Sequence, residues 1–582
     1  MCGIIGYTGE KRAAPFLLGG LKKLEYRGYD SCGVAILDHG AITVKKDIGF
    51  LDNVGKKLNF SGLEGKVGVG HTRWATTGAI TKENAHPLLD CNKRIAVVHN
   101  GIIENWTELK DSLVGHKFAS DTDTEVLAHL IEDKLASGQD LKSAVSATFK
   151  QIKGSSSFVV LDRDSGDLIA VKKGSPLVLG LAEHGNFISS DVPSFVKHTN
   201  KVVYLYDGDQ VQLNKKNYEI TNLLGNNAKH DVSTVAFSFE DVEKGEYDHF
   251  MLKEIMEQPG IMKNLESSNF KLLTEASKLI KKAKTVYLVG AGTSFHVARL
   301  GSKAFRENGI NAVPVQGQDI ATYEKVIKPK DVFIIISQSG ETADILGAMH
   351  CIKNKTIGII NSEGSALAKG VDLFIPMEAG PERAVASTKA FTLSAVYVTL
   401  LAFMAAGKKS KAINDLKLMN INMYNLLVPS VISAIDKAAQ KLKDLESVYF
   451  LGRGIDFIIA LEGALKMKEV AYIHAEAIDA ATFKHGPLAL VSENTYAIAL
   501  VSEPMKDTLY NLQEMKARGG KIIGIANSNS DLFDMFIRTQ EGGIFSFVMQ
   551  TIILQLLAYK TSVLKGIDPD RPKNLAKSVT VK

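Results

Sequence analysis

The chain has 582 residues, of which 45% are apolar and 23% charged, with a formal net charge of +5. That length is too great for one core and, at about 150 residues per domain, predicts three or four folded domains of ordinary globular composition. The small net charge, with no dense Lys/Arg block among aromatics, argues against a nucleic-acid surface.

The chain begins Met1-Cys2-Gly3. Trimming of the methionine would leave a cysteine whose thiol and α-amine share one residue. An amine with a pKa of about 7.7–8.0 can activate a thiol near 8.5. The same residues also suit the start of a buried strand, because 3–6 is apolar. The four cysteines, Cys2, Cys32, Cys91 and Cys351, show neither CxxC spacing nor a disulfide framework. This predicts a reducing, cytoplasmic setting, no disulfides and no structural zinc. No basic segment precedes an apolar one at the start, so no signal peptide is expected.

Residues 1 to about 220 are rich in short β-type runs, at 33–37, 66–70, 95–99, 157–161 and 201–206. Turn residues bound most of them, which predicts largely antiparallel sheets. Helical periodicity covers 13–26 and 124–135, the second with Asp121 or Thr122 as its expected cap. An α+β sandwich over 1–222 follows. From 223 to 248 the pattern turns polar and loses its period, as a linker would.

The second half repeats itself. Residues 286–301 align with 448–463 at one offset with seven identities, in the order strand, Gly-x-Gly, helix. Residues 356–361 resemble 522–527 at nearly the same offset. Two α/β units with doubly wound parallel sheets are expected, at 249–407 and 446–565. Apolar heptad-like spacing over 408–445 predicts connecting helices that pack both units together or carry a dimer contact. Phe295 and Phe457 stand where a dinucleotide fingerprint needs its third glycine, so no such cofactor is predicted. The Ser/Thr clusters at 293–294 and 337–342, each after a strand, suit a phosphate monoester held without metal; two N-capped helices would look the same. A helix read from 461 to 476 places Glu462, Lys466 and Glu469 on one face, as a solvated ion-pair row or a proton-moving site. His485, in a KHGP turn, is a candidate acid or base. The apolar stretch 544–559 is interrupted by Gln550, Thr551 and Gln555, too short and polar to span a membrane, and reads as a buried helix.

Taken together, LEYRGYDS (24–31), HTRWATTG (71–78), NAHP (84–87), HNGIIEN (99–105), SDTDTEV (120–126), SQSGETAD (337–344), ASTKAFT (386–392) and KHGPLAL (484–490) resemble the isomerizing glutamine–fructose-6-phosphate aminotransferases over essentially the whole chain. The resemblance implies an N-terminal-nucleophile sandwich of the class II glutamine amidotransferase type, then two sugar-isomerase (SIS) domains and a C-terminal tail, 566–582, that joins the sugar site. It implies that Cys2 attacks the amide of L-glutamine while Asn100 and the Gly101 N–H form an oxyanion hole. Arg73, Trp74, Thr76, His86 and Asp123 would hold the glutamine, with Trp74 also gating an ammonia channel. Thr293, Ser294, Ser337, Gln338, Ser339 and Thr342 would bind the phosphate of D-fructose 6-phosphate, and Val385 and Ser387 its sugar. Lys577 would form a Schiff base, His485 would open the ring, and Glu469 would carry a proton between C1 and C2, supported by Glu462 and Lys466. The family implies no metal, no organic cofactor and a homodimer. Departures from the family pattern, at Thr77, 480–482 and 153–158, remove no catalytic group. Two other readings are weaker. Another class II amidotransferase would carry its own partner-domain phosphate motif, and a sugar-phosphate sensor would have no use for Glu469, His485 or Lys577.

Overall fold

The computed structural model describes residues 2–578 except 216, 223–224, 236–239, 267 and 503–505. Parts of the expected linker and the last four residues of the expected tail lie outside the described residues. Contacts divide the chain into two compact units. One runs up to Glu243 and includes Glu341–Ala343 and the segment from Ala576; the other comprises Lys244–Gly340 and Asp344–Leu575.

The first unit is built on strands β1 (Gly3–Gly9), β2 (Ser31–Asp38), β3 (Val67–Arg73), β4 (Ile95–Gly101) and β5 (Ser156–Asp162). An eight-stranded sheet has β1 next to β3 and β3 next to β2; a six-stranded sheet has β5 next to β4. All pairings in both are antiparallel, as the short β-type runs predicted. Neighbouring strand residues point to opposite faces, and here both faces are covered. Ile4, Val69, Ala96 and Val98 enter a shared core between the sheets, whereas Ile5 packs under helix α1 (Ala13–Leu24). Ile95 and Val97 pack under helix α2 (Glu125–Ala136) on the far side. The result is a helix–sheet–sheet–helix sandwich.

Helix α2 starts where its pattern predicted, but its cap differs. Thr124 holds the N-cap position and makes no side-chain cap bond. Its hydroxyl lies 2.8 Å from His99 Nδ1 instead. Glu125 organises the preceding loop, accepting the Ala119 and Ser120 N–H groups at 2.7 Å and the Ser120 hydroxyl at 2.6 Å.

The second unit contains the repeat in three dimensions. Strands β6 (Val286–Gly290) and β7 (Val332–Ser337) are central to one five-stranded sheet, and β8 (Ser447–Gly452) and β9 (Tyr496–Val501) to another. Every pairing is parallel, and both sheets follow the strand order 2-1-3-4-5. Helices α3 (Thr293–Glu307) and α4 (Ile455–Ala471) follow β6 and β8 through matching glycines. Gly292 (φ 54°) and Gly454 (φ 62°) both occupy a backbone region that residues with a Cβ seldom adopt.

Helix α4 ends at Ala471, because Tyr472 turns left-handed and His474–Asp479 forms a strand. The helix expected to reach 476 is therefore shorter, and His474 and Glu476 belong to the sheet. The connecting segment forms two helices, Lys409–Tyr424 and Pro429–Leu442, bent by 75° to each other. Leu416, Met419, Ile435 and Leu442 place both helices in the core that the two sheets share. The late apolar stretch is longer than expected. Gly543–Leu564 is long and apolar enough to cross a membrane, yet 83% of its apolar window is buried inside the unit. A helix that is apolar all round is the mark of such a core position.

Candidate active site

Cys2 lies just before β1, whose register pairs Gly3 with Thr72 of β3. That pairing brings the thiol to the end of β3. The Trp74 N–H donates to Cys2 Sγ at 3.2 Å, and the S–H faces the Trp74 carbonyl at 3.4 Å. Burial pushes the thiol pKa up, opposed by the Trp74 backbone and by Arg73 and Arg27. The thiol is thus kept protonated until a base takes its proton, which suits activation by an amine on the same residue.

The end of β4 supplies Asn100 and Gly101. Asn100 Nδ2 donates to the Cys2 carbonyl at 3.0 Å and to Ser190 Oγ at 2.9 Å. Gly101 has φ 138°, and a Cβ there would lie 2.0 Å from the Ser155 carbonyl. No larger residue fits at this strand end without moving the backbone. Asn100 and the Gly101 N–H can act together as donors to an oxyanion only once Asn100 exchanges one of its present bonds for the substrate.

Arg73 is 3% exposed, and its guanidinium donates to the carbonyls of Thr77, Gly78 and Ala79 at 2.6–3.2 Å. The fork shapes the loop that follows Trp74. Trp74 is half-buried and packs edge-on to Tyr29, while Thr76 is exposed. Asp123 is buried and accepts the Ile103 N–H at 2.8 Å. His86 sits one layer further back. Its ring is 4.3 Å from His71, which faces the Asn100 side-chain oxygen at 3.2 Å. His86 is thus linked through His71 to Asn100.

Three positioning residues were not foreseen individually. Arg27 Nε donates to the Cys2 carbonyl at 3.2 Å, and Asp30 accepts the Ala75 N–H at 2.8 Å. Both lie in the LEYRGYDS motif, so the motif was legible although their roles were not. Ser190 accepts the Ile4 N–H at 2.8 Å and ties β1 to Asn100. Nothing local marks Ser190 in the sequence.

Burial makes this site acid-sensitive. Desolvation pushes His71 down to about 3, and lowers His86 and His99 as well. The histidines are neutral when folded but protonate near pH 6.5 when unfolded. Their contribution to stability is complete above that pH and is lost as pH falls toward the folded values. At pH 5 His71 alone is expected to cost about 2 kcal/mol relative to pH 7. Thermal melts of the full chain at pH 7.5, 6 and 5 test this; a first-unit transition unmoved across that range would contradict it.

In the second unit, α3 and α4 meet over a buried ionic network. Glu462 and Lys466 are 2% and 0% exposed. Lys466 Nζ lies 3.3 Å from Glu462 Oε1 and 2.5 Å from Glu469 Oε2. His296 Nδ1 lies 2.7 Å from Glu462, and the Thr293 hydroxyl donates to Glu462 at 3.1 Å and accepts from Lys466 at 3.3 Å. Burial opposes the lysine's charge, but Glu462 and Glu469 overcome it and hold the ammonium above its ordinary range. Glu469 is the outermost member, with a side chain 20% exposed. The row is therefore a buried bridge between the two repeats with one carboxylate at its outer end, and not a solvated helix face.

Ser337 closes β7, and its hydroxyl accepts the Gly340 N–H at 2.9 Å. Gln338 and Ser339 follow half-buried in the same turn, and Ser294 is half-buried in the first turn of α3. Thr342, half-buried, belongs to the short segment that groups with the first unit. In the second repeat Ile455-Asp456 replace Thr293-Ser294. Asp456 there accepts the Ser502 N–H at 2.8 Å and its hydroxyl at 2.5 Å. A protein carboxylate thus fills, in the second repeat, the place where the first repeat keeps hydroxyls. Val385 is buried, and Ser387 donates to Glu382 at 3.3 Å. His485 is exposed in a short 3₁₀ turn, and Lys577 is half-buried in the tail segment that groups with the first unit.

Comparison with known proteins places these two units. A glutamine amidotransferase domain matches residues 71–197, and SIS domains match 279–404 and 441–564. The glutamine–fructose-6-phosphate aminotransferases (isomerizing) of Pyrococcus horikoshii and Thermococcus kodakarensis are each 40% identical to this chain, over the full length of both partners. A solved structure, the C-terminal domain of glucosamine-fructose-6-phosphate aminotransferase from Francisella tularensis, is 34% identical. It covers 56% of this chain and 99% of its own, with a TM-score of 0.52. The two-unit architecture, the paired parallel sheets and full-length identity at this level lead to one conclusion: the chain belongs to the family of isomerizing glutamine–fructose-6-phosphate aminotransferases.

Proposed function

We propose that this protein converts D-fructose 6-phosphate and L-glutamine to D-glucosamine 6-phosphate and L-glutamate. The observation that carries the reading is the Cys2 site, a half-buried thiol with two potential oxyanion donors at the end of β4, in a chain that also holds the SIS repeat. Cys2 Sγ attacks the glutamine side-chain amide, and the amide nitrogen leaves as ammonia. Water then hydrolyses the thioester to glutamate. Asn100 and the Gly101 N–H stabilise both tetrahedral intermediates. Arg73 and Asp123 take the substrate's carboxylate and α-ammonium, a fork and a carboxylate matched to a zwitterion; Thr76 and Trp74 complete that pocket.

The phosphate of the second substrate rests on the Thr293-Ser294 helix start and on Ser337, Gln338, Ser339 and Thr342. Val385 and Ser387 contact the sugar. His485 opens the ring and Lys577 holds the open ketose as a Schiff base. Ammonia displaces the lysine at C2 to give the substrate imine. Glu469 then removes a proton from C1 and returns it at C2 while the C1 hydroxyl proton passes to the nitrogen, leaving an aldehyde at C1 and an amine at C2. Lys466, whose Nζ lies 2.5 Å from Glu469 Oε2, holds that carboxylate in position. The family resemblance supports a homodimer working in the cytoplasm.

The test is product formation from fructose 6-phosphate with glutamine by wild type, Lys577→Ala and Glu469→Gln. Both variants are expected to lose sugar conversion by at least about a hundredfold, the range of a removed acid–base group. Both should continue to hydrolyse glutamine. Full synthesis by either variant would remove that residue from the mechanism.

A further inference from the structure

A second constellation lies on the outer face of the first unit. Cys91, in the turn between Leu88–Leu89 and β4, meets His116 from the loop before α2 and His129 and Glu132 from α2 itself. Their donor atoms lie within 4.8 Å of one another. The two imidazole Nδ1 atoms are 3.1 Å apart, and Cys91 Sγ is 3.6 and 3.7 Å from them. Glu132 Oε2 is 3.1 Å from His116 Nδ1 and 3.2 Å from His129 Nδ1. Bonds of about 2.0–2.1 Å to nitrogen or oxygen and about 2.3 Å to sulfur give tetrahedral edges of roughly 3.3–3.6 Å. Five of the six edges thus match a tetrahedron to within a few tenths of an ångström.

The outer contacts agree. His116 Nε2 lies 2.8 Å from Asp133 Oδ1, and His129 Nε2 faces Glu125 Oε1 at 3.5 Å. At His116 the carboxylate places the proton on Nε2 and leaves the Nδ1 lone pair directed inward, the usual arrangement of a metal-bound histidine. The two Nδ1 atoms, a carboxylate oxygen and the cysteine sulfur then converge on one point, a donor set that a single cation would satisfy together. Cysteine spacing gave no sign of this cluster, because the fold brings Cys91 to histidines 25 and 38 positions away.

We propose that Cys91, His116, His129 and Glu132 form a closed, four-coordinate structural zinc site. Thiolate and imidazole donors in tetrahedral array select zinc over magnesium or calcium, and four protein ligands leave no open position for catalysis. The ion would join the 88–95 turn and the loop before α2 to a helix whose first turn adjoins Asp123. Glu125 extends the same bond pattern from His129 to the SDTDTEV loop.

The experiment uses untagged full-length protein. Elemental analysis after gel filtration is expected to find one zinc per chain in wild type and none in the double variant Cys91→Ser/His116→Ala. Cobalt loaded into metal-stripped wild type should give the intense visible bands of a tetrahedral ion with thiolate charge transfer. Stripping is expected to lower the first-unit melting temperature by about 10 °C, restored by zinc. Wild type without bound zinc and with only the weak spectrum of octahedral cobalt would overturn the site, as would a double variant that keeps its zinc. The cobalt spectrum is read on wild type, so the outcome does not depend on the variant folding.

Discussion

Replacing Cys2 by alanine is expected to reduce glutamine hydrolysis by at least about ten-thousandfold, in line with removal of a catalytic nucleophile elsewhere. No neighbour can substitute. The groups against the sulfur are the Trp74 N–H and carbonyl, neither a nucleophile. Alanine leaves the Cys2 carbonyl in place to accept from Asn100 and Arg27, so the site should keep its shape. The sugar chemistry resides on other residues. With an ammonium salt as nitrogen source, the variant should therefore still form glucosamine 6-phosphate. Measuring glutamate release and product side by side separates the two half-reactions. Undiminished synthesis from glutamine by the variant would refute the assignment of Cys2.

Lys466→Met is expected to destabilise the second unit by about 3–5 kcal/mol, because it removes one partner of a buried ion pair. Glu462 would remain buried with only His296 and the Thr293 hydroxyl to meet its charge, and Glu469 would lose its ion-pair partner. The double variant Glu462→Gln/Lys466→Met removes both charges at once and should recover most of that loss, since the cost lies in the unpaired charge. Scanning calorimetry of wild type, single and double variants decides it. A single variant that melts with wild type, or a double variant no better than the single, would mean that the network is not energetically coupled.

Much of the fold was legible because it rests on local pattern. Short apolar runs bounded by turn residues predicted the antiparallel strands of the first unit, and the seven matched residues at 286–301 and 448–463 predicted two sheets of one topology. The misses have physical causes. The helix expected to reach 476 ends at Tyr472, where the chain turns left-handed and the edge of the β8 sheet takes 474–479 as a strand. Thr124, and not Asp121 or Thr122, stands at the N-cap, and it makes no side-chain cap bond because its hydroxyl is committed to His99, 25 positions away. Glu462, Lys466 and Glu469 do share a face, but whether that face meets water or a second helix is a matter of packing, which periodicity does not report.

The sequence by itself picked out the N-terminal cysteine as a candidate nucleophile, the β-type run that ends at Asn100 and Gly101, the Ser/Thr clusters and the repeat. Each of these is written in residues adjacent along the chain. Only the tertiary structure decided which distant groups meet: Asn100 and the Cys2 carbonyl 98 positions apart, Ile4 and Ser190 186 apart, and Thr293 and Glu462 169 apart. The Cys91, His116, His129 and Glu132 cluster belongs with them. Strand register and sheet-on-sheet packing set those meetings, and neither leaves a period or a spacing in the chain from which they could be read.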